Sequence, residues 1–351
     1  ILQIHQTAQN SRTKYSQNKA KDAYQLYFKK FDSGEKIDEM HFFFAELLFD
    51  MGEFEGAAYH YNWIVKNAPK SQYAEKSRLN TVLALEKALP SEKDLKDRLG
   101  DSLDPVPLEK NVKNFLLASK QYEETYPKGE NVPAIKYKAG ALYYYHNMFD
   151  EALNEFNEII KGYPKSDYAK NAANLTLDIY NLKKDFVGLE KAGTEILKNE
   201  DLASGQVGTQ VKSVLQQVSF KKAQDLESEK KYQESAESFK AFADQNPGSD
   251  LAITALFNAG LNFERAGLLA QSANMHESVV KKGGKAAIKE KSEKILPSLY
   301  EKVGRYKEAA SMMENYGSKN PKEKEAIDYL FNAAVIQDGV RRYRSAAKNY
   351  Q

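Results

Sequence analysis

Apolar and small residues recur along this chain at three- and four-residue intervals, the spacing that lines one face of a helix. A small residue flanked by larger apolar ones repeats in MGEFEGAAYHYNWIV, MFDEALNEFNEII, KYQESAESFKAF, LLAQSANMHESVV, RYKEAASMMENY and RYRSAAKNYQ. The small residues are Ala57, Ala152, Ser235, Ser272, Ala309 and Ala346. Three residues before each stands Phe54, Phe149, Tyr232, Leu269, Tyr306 or Tyr343; four after stands Tyr61, Phe156, Phe239, His276, Met313 or Tyr350. The same helical face is thus written six times in one register.

Weaker copies at Ala23, Phe115 and Leu189 complete the series, with successive spacings of 34, 58, 37, 37, 46, 37, 37 and 37 residues. The two long intervals contain loop-like segments, LPSEKDLKDRLGDSLDPVP and KNEDLASGQVGT. A unit of 37 is one turn longer than a unit of 34, and adding a whole turn of about 3.6 residues keeps the buried face in phase. Each unit also carries an upstream apolar helix, such as HFFFAELLFD, IKYKAGALYYYHN or ALFNAGLNFERAG. The small pairs Ala139 with Gly140 and Ala259 with Gly260 let the two helices of a unit approach closely. Gly52, Gly267 and Gly304 fall at the corner between helices, where a left-handed backbone is needed. Pro69, Pro127, Pro164, Pro247 and Pro321 stop the second helix.

The pattern predicts an all-α chain forming a single solenoid over residues 1–351, built from about nine helical hairpins. Their bounds are approximately 1–33, 36–69, 71–127 with an insertion at 89–107, 131–164, 166–199, 208–247, 249–283, 285–321 and 323–351. These units resemble the tetratricopeptide repeat (TPR), a helix-turn-helix of about 34 residues. The resemblance implies stacking into a right-handed superhelix whose first helices line the concave side. The hairpins at 36–69 and 131–164 match best.

After the terminal proline comes a second phrase, APKSQYAEKS, YPKSDYAKNA or NPGSDLAITA, in which Ser is placed to cap the next helix and Ala to start its buried face. This form is similar to the repeats of bacterial envelope proteins, namely the outer-membrane-protein assembly lipoprotein and the Tol-Pal cell-division coordinator. The resemblance implies a non-catalytic scaffold, periplasmic or associated with the outer membrane, with a cytoplasmic placement as the alternative. It also implies a lipid anchor through a Cys, a residue this sequence does not contain.

Composition narrows the chemistry. Lys and Arg number 51 against 49 for Asp and Glu, a net charge of +2, so no global field points to nucleic acid. The absence of cysteine excludes a disulfide framework, a thiolate metal site and a Cys nucleophile within these residues. No apolar run approaches the roughly 20 residues of a membrane span. The chain begins with Ile1 in a polar segment and ends at Gln351 inside an amphipathic pattern, so a longer or processed parent is expected.

No cofactor, metal or catalytic residue is expected. His5, His41, His60, His146 and His276 have no i, i+3 or i, i+4 partner among themselves. The acidic residues Glu92, Asp94, Asp97, Asp101 and Asp104 interleave with Lys93, Lys96 and Arg98, which reads as a solvated segment. Lys281, Lys282, Lys285, Lys289, Lys291 and Lys294 form one basic run, read first as solvated surface and alternatively as a contact for lipid or peptidoglycan.

Counting 15 residues back from the small markers gives Phe42, Tyr137, Asn174, Phe220, Phe257, Lys294 and Phe331. The same stripe continues through Glu46 and Phe49, Tyr144, Glu227 and Glu264. Phe42, Glu46, Phe49, Tyr137, Tyr144, Phe220, Glu227, Phe257, Glu264 and Phe331 are therefore the candidate contacts for a protein or peptide in the groove. The TPR clamp for chaperone C-termini needs Lys and Asn where this chain has Tyr137 and Ala141, so that ligand is not expected. The function expected is a protein-binding scaffold. The alternatives are the helical, non-catalytic part of a larger envelope enzyme, or a peptidoglycan or lipid-surface module.

Overall fold

The computed structural model describes residues 1–31, 33–97 and 102–350. Among them the regular structure is entirely helical. The first pair is α1 (Leu2–Ser11) with α2 (Lys14–Lys30), and the second is α3 (Ile37–Asp50) with α4 (Phe54–Asn67). In the third, α5 (Ala74–Lys87) and α7 (Lys110–Thr125) are separated by the insertion, which carries the short α6 (Glu92–Asp97). α8 (Val132–Tyr144) pairs with α9 (Phe149–Gly162), and α10 (Asp167–Leu182) with α11 (Phe186–Leu197). The second insertion holds α12 (Glu200–Ala203), after which α13 (Gln206–Ser228) pairs with α14 (Tyr232–Gln245). The last pairs are α15 (Ala252–Arg265) with α16 (Leu269–Lys282), α17 (Ala286–Lys302) with α18 (Tyr306–Lys319), and α19 (Ala326–Gly339) with α20 (Tyr343–Tyr350). Two compact units result, Ile1–Thr209 and Gln210–Gln351.

Each proline read as a stop lies two residues beyond a helix end: α4, α7, α9, α14 and α18 finish at Asn67, Thr125, Gly162, Gln245 and Lys319. The corners are as regular. Gly52, Gly267 and Gly304 have φ of 79°, 75° and 78°. The same left-handed turn is made without glycine by Asn147, Lys184, Lys230 and Arg341, at φ of 55°, 53°, 61° and 63°. These seven corners each precede the small marker by five residues, so the backbone repeats in the register written in the sequence.

Two details differ from the sequence pattern. In the first pair the buried residues are Ala20 and Tyr24, both 0% exposed, while Ala23 is only partly buried. Ala20 stands 37 residues before Ala57, so this unit has the longer length. Of the three serines expected as caps, Ser166 alone serves as one, its Oγ accepting from the Ala169 N–H at 3.1 Å. Ser71 and Ser249 accept from the N–H two residues on, at Tyr73 and Leu251, and so close a turn ahead of the helix.

Cores form where first and second helices of a pair meet. Phe115, Phe156 and Tyr61 are at most 1% exposed in the first unit, as are Phe239 and Phe242 in the second. The small pairs act as expected. A Cβ at Gly140 would stand 2.6 Å from Phe156 Cε1, and one at Gly260 2.6 Å from His276 Nε2. The first insertion is pinned to the α8–α9 corner. Val106 N–H donates to the His146 carbonyl at 2.8 Å, and the Asn147 carboxamide donates to the carbonyls of Ser102 and Asp104.

Candidate partner-binding surfaces

The stripe residues lie on first helices, some against the following pair and some against the second helix of their own pair. Phe42 is only 5% exposed; its ring stacks on Tyr73 with centroids 4.6 Å apart, and Lys76 Nζ lies 4.9 Å over it. Glu46 accepts from the Tyr61 hydroxyl and, at 3.1 Å, from the Asn80 carboxamide, with Lys76 Nζ 4.0 Å away. Phe49 packs edge-on against Phe54 at 5.3 Å.

One pair of helices links to the next in the same way further along. Tyr137 lies 5.7 Å from the ring of Tyr168 and 6.2 Å from that of Phe156. The Tyr144 hydroxyl donates to Asp178, and burial together with that carboxylate pushes its phenol well up. Glu227 pairs with Arg265, and Glu264 with Lys302 at 3.2 Å. Phe220 is buried against Phe239 and Phe242, at 5.1 and 5.5 Å. Phe257 meets the edge of His276 at 5.4 Å and shares its cluster with Ile288 of the next pair.

Phe42, Glu46, Tyr137, Tyr144, Glu227 and Glu264 thus join one first helix to the next pair. Phe331, on α19, differs: it is 56% exposed, touched by the ring of Tyr350 at 5.7 Å. Its stripe neighbours Ile327 and Val335 are 74% and 47% exposed. Asp338, at the position of Glu264 and Glu227, is exposed and makes no ion pair among the described residues.

Helical spacing within one helix gave no histidine pair, but the hairpin makes one. His41 Nδ1 lies 2.7 Å from His60 Nδ1, and the His41 ring stacks on Trp63 at 3.8 Å. Burial lowers both imidazoles, His41 to about 3 with its neighbour adding to the effect, and His60 to about 4. The two are 19 residues apart, the same first-to-second-helix offset that joins His5 to Tyr24 and Lys136 to Glu155. This offset is the signal that would have found the pair. Among the described residues no group of three or more His, Asp or Glu is placed to hold a metal ion.

Other charge clusters take structural partners. Lys136 Nζ reaches Glu123 on α7 at 2.6 Å, and Glu155 and Glu158 on α9 at 3.3 and 2.7 Å. On α6, Glu92 pairs with Lys96 and accepts from the Tyr145 hydroxyl, each at 2.7 Å. Asp101 and Arg98, from the same run, lie outside the described residues. In the basic run Lys294 pairs with Glu290 at 3.0 Å and Lys289 with Glu293 at 3.9 Å. Lys281, Lys282, Lys285 and Lys291 have no ion pair among the described residues.

Fold and surfaces together define an all-α array of helix-turn-helix repeats, TPR-like in its helix lengths, left-handed corners and pairwise packing. No family model matches the chain. No curated protein matches it either. Among solved structures, a tetratricopeptide repeat protein from Parabacteroides merdae is 12% identical with a TM-score of 0.34, covering 84% of this chain and 98% of that one. The TPR2AB domain of yeast Sti1 in complex with pHSP90 is 10% identical with a TM-score of 0.32, covering 90% and 100%. The C-terminal part of a TPR repeat-containing protein from Cytophaga hutchinsonii is 13% identical with a TM-score of 0.29, covering 82% and 99%. At such scores these likenesses say nothing about function.

Proposed function

We propose that this chain is a non-catalytic scaffold that binds another protein, and that the part-exposed tyrosines of α8 are one place where it does so. The observation that carries the reading is the pair Tyr137 and Tyr144, which stand seven residues apart on one face of α8 and are only half-buried. On α3, α13 and α15 the same stripe is taken up by the next pair or by the core. A peptide or helix with apolar anchors and basic flanks fits the aromatic and acidic stripe.

The bacterial envelope is the setting we propose, supported by the proline, Ser and Ala phrases of the sequence. Affinity capture from the producing organism, with wild type beside a Tyr137→Ala and Tyr144→Ala double variant of unchanged melting temperature, tests the site. We expect one discrete protein with wild type and at least about tenfold less of it, or about 1.4 kcal/mol, with the double variant. No captured protein, or equal capture by both, overturns the assignment of the tyrosines.

A further inference from the structure

We infer a second, independent site in the first unit: a cleft between α4 and α7, floored by α5, that binds a short acidic segment of a partner protein in extended form. The cavity there is about 370 Å³, within the range of about 300–1,000 Å³ for ligand pockets. α4 lines it with Glu55, Tyr59, Asn62 and Lys66, and α7 with Lys110, Asn114, Leu117 and Gln121. Both sets step by four, three and four residues, so each is a single helical stripe facing the same space. The α5 floor supplies Leu85, 8% exposed, and Thr81, whose hydroxyl is already used on the Ser77 carbonyl.

Two observations single out this cleft. Tyr59 and Leu117 are 65% and 58% exposed, and they occupy the same repeat position, two residues after the markers Ala57 and Phe115. The other units carry polar residues there: Asp22, Asn154, Lys191, Glu237, Asn274, Ser311 and Lys348. Only the two units that border the cleft place an apolar side chain at this otherwise polar surface position. The second observation is the polar lining. The Asn62, Asn114 and Gln121 carboxamides make no hydrogen bond from their side chains to another described residue, and each offers both a donor and an acceptor.

Such carboxamides match the alternating N–H and C=O groups of an extended chain. Each stripe covers 12 residues, so its ends stand about 16 Å apart along the helix, which is the length of about five extended residues. Lys66 and Lys110 outweigh Glu55, and none of the three has an ion pair among the described residues, so the segment that fits carries acidic residues beside an apolar one.

The test is fluorescence anisotropy of the purified chain with three labelled pentapeptides: Asp-Leu-Asp-Leu-Asp, Lys-Leu-Lys-Leu-Lys and Asp-Gly-Asp-Gly-Asp. The first is expected to bind at least about tenfold more tightly than the others. Leu117→Glu removes that advantage, and Lys66→Glu combined with Lys110→Glu transfers the preference to the lysine peptide. Val187→Glu, at a site 72% exposed and outside the cleft, leaves binding unchanged. The substituted side chains are all exposed, so unchanged melting temperatures show that the fold is intact. Equal affinity for the three peptides, or a preference unaffected by Leu117→Glu, overturns the proposal. Neither outcome depends on Tyr137 or Tyr144, which lie on α8 and outside the cleft.

Discussion

Buried imidazoles set how each unit responds to acid. Burial holds His41 near 3, and His60 and His276 near 4, against an ordinary value of 6.5. Their unfolded forms therefore bind more protons between about 6.5 and 4, and stability falls as pH drops through that window. We expect a lower melting temperature at pH 5 than at pH 7.5. His276→Phe, which copies the Phe156 ring on Gly140 at the equivalent place on Gly260, should flatten that fall for the second unit. Melting curves across pH 4.5 to 8 check this, and an acid limb unchanged by the substitution contradicts it. Space is equally decisive at Gly140 and Gly260. Gly140→Ala and Gly260→Ala should each cost about 1–3 kcal/mol through overpacking. Gly162→Ala, where a Cβ meets nothing within 4 Å, should be neutral or stabilising. The close approach at both glycines was legible as a small pair on a first helix. The left-handed corners were half legible, because Gly52, Gly267 and Gly304 announce themselves while Lys184, Lys230 and Arg341 look like any surface residue.

Among the elements, α7, α8 and α9 are held by a single cation. Lys136 is 13% exposed and meets three carboxylates, of which burial raises Glu123 and Glu155 above the ordinary range. Lys136→Met leaves two partly buried carboxylates without their cation and should cost about 2–4 kcal/mol at pH 8. Glu123 and Glu155 take up protons more readily folded than unfolded, so this cost should shrink as pH falls toward 5. Denaturant titrations at the two values measure it; equal costs at both would show that the three carboxylates are not coupled through Lys136. This knot escaped the sequence because its members lie on three helices, and only the offset of 19 between Lys136 and Glu155 repeats elsewhere. Helix existence and hairpin order followed from periodicity and punctuation. Cap chemistry did not, since Ser71 and Ser249 share the phrase of Ser166 but sit two residues further from their helices.

For the molecule as a whole, what the repeat grammar makes plain is packing, and what it conceals is exposure. Phe42 and Phe331 hold one repeat position, yet the first is 5% exposed, stacked on Tyr73 of the following pair, and the second 56% exposed. Tyr59 and Leu117 were legible as apolar residues at a polar position, but only the placement of α7 across the insertion shows that they border one cleft. Binding of a protein through the first-helix stripe, the central claim for this scaffold, is tested most directly by site-specific photocrosslinking in the producing organism. A photoreactive phenylalanine analogue replaces Tyr144 in one variant and Val187, 72% exposed and off the stripe, in another. A discrete protein adduct is predicted from position 144, weakened when Tyr137→Ala is added, and none from position 187. No adduct at 144, or equal adducts at both positions, would contradict it.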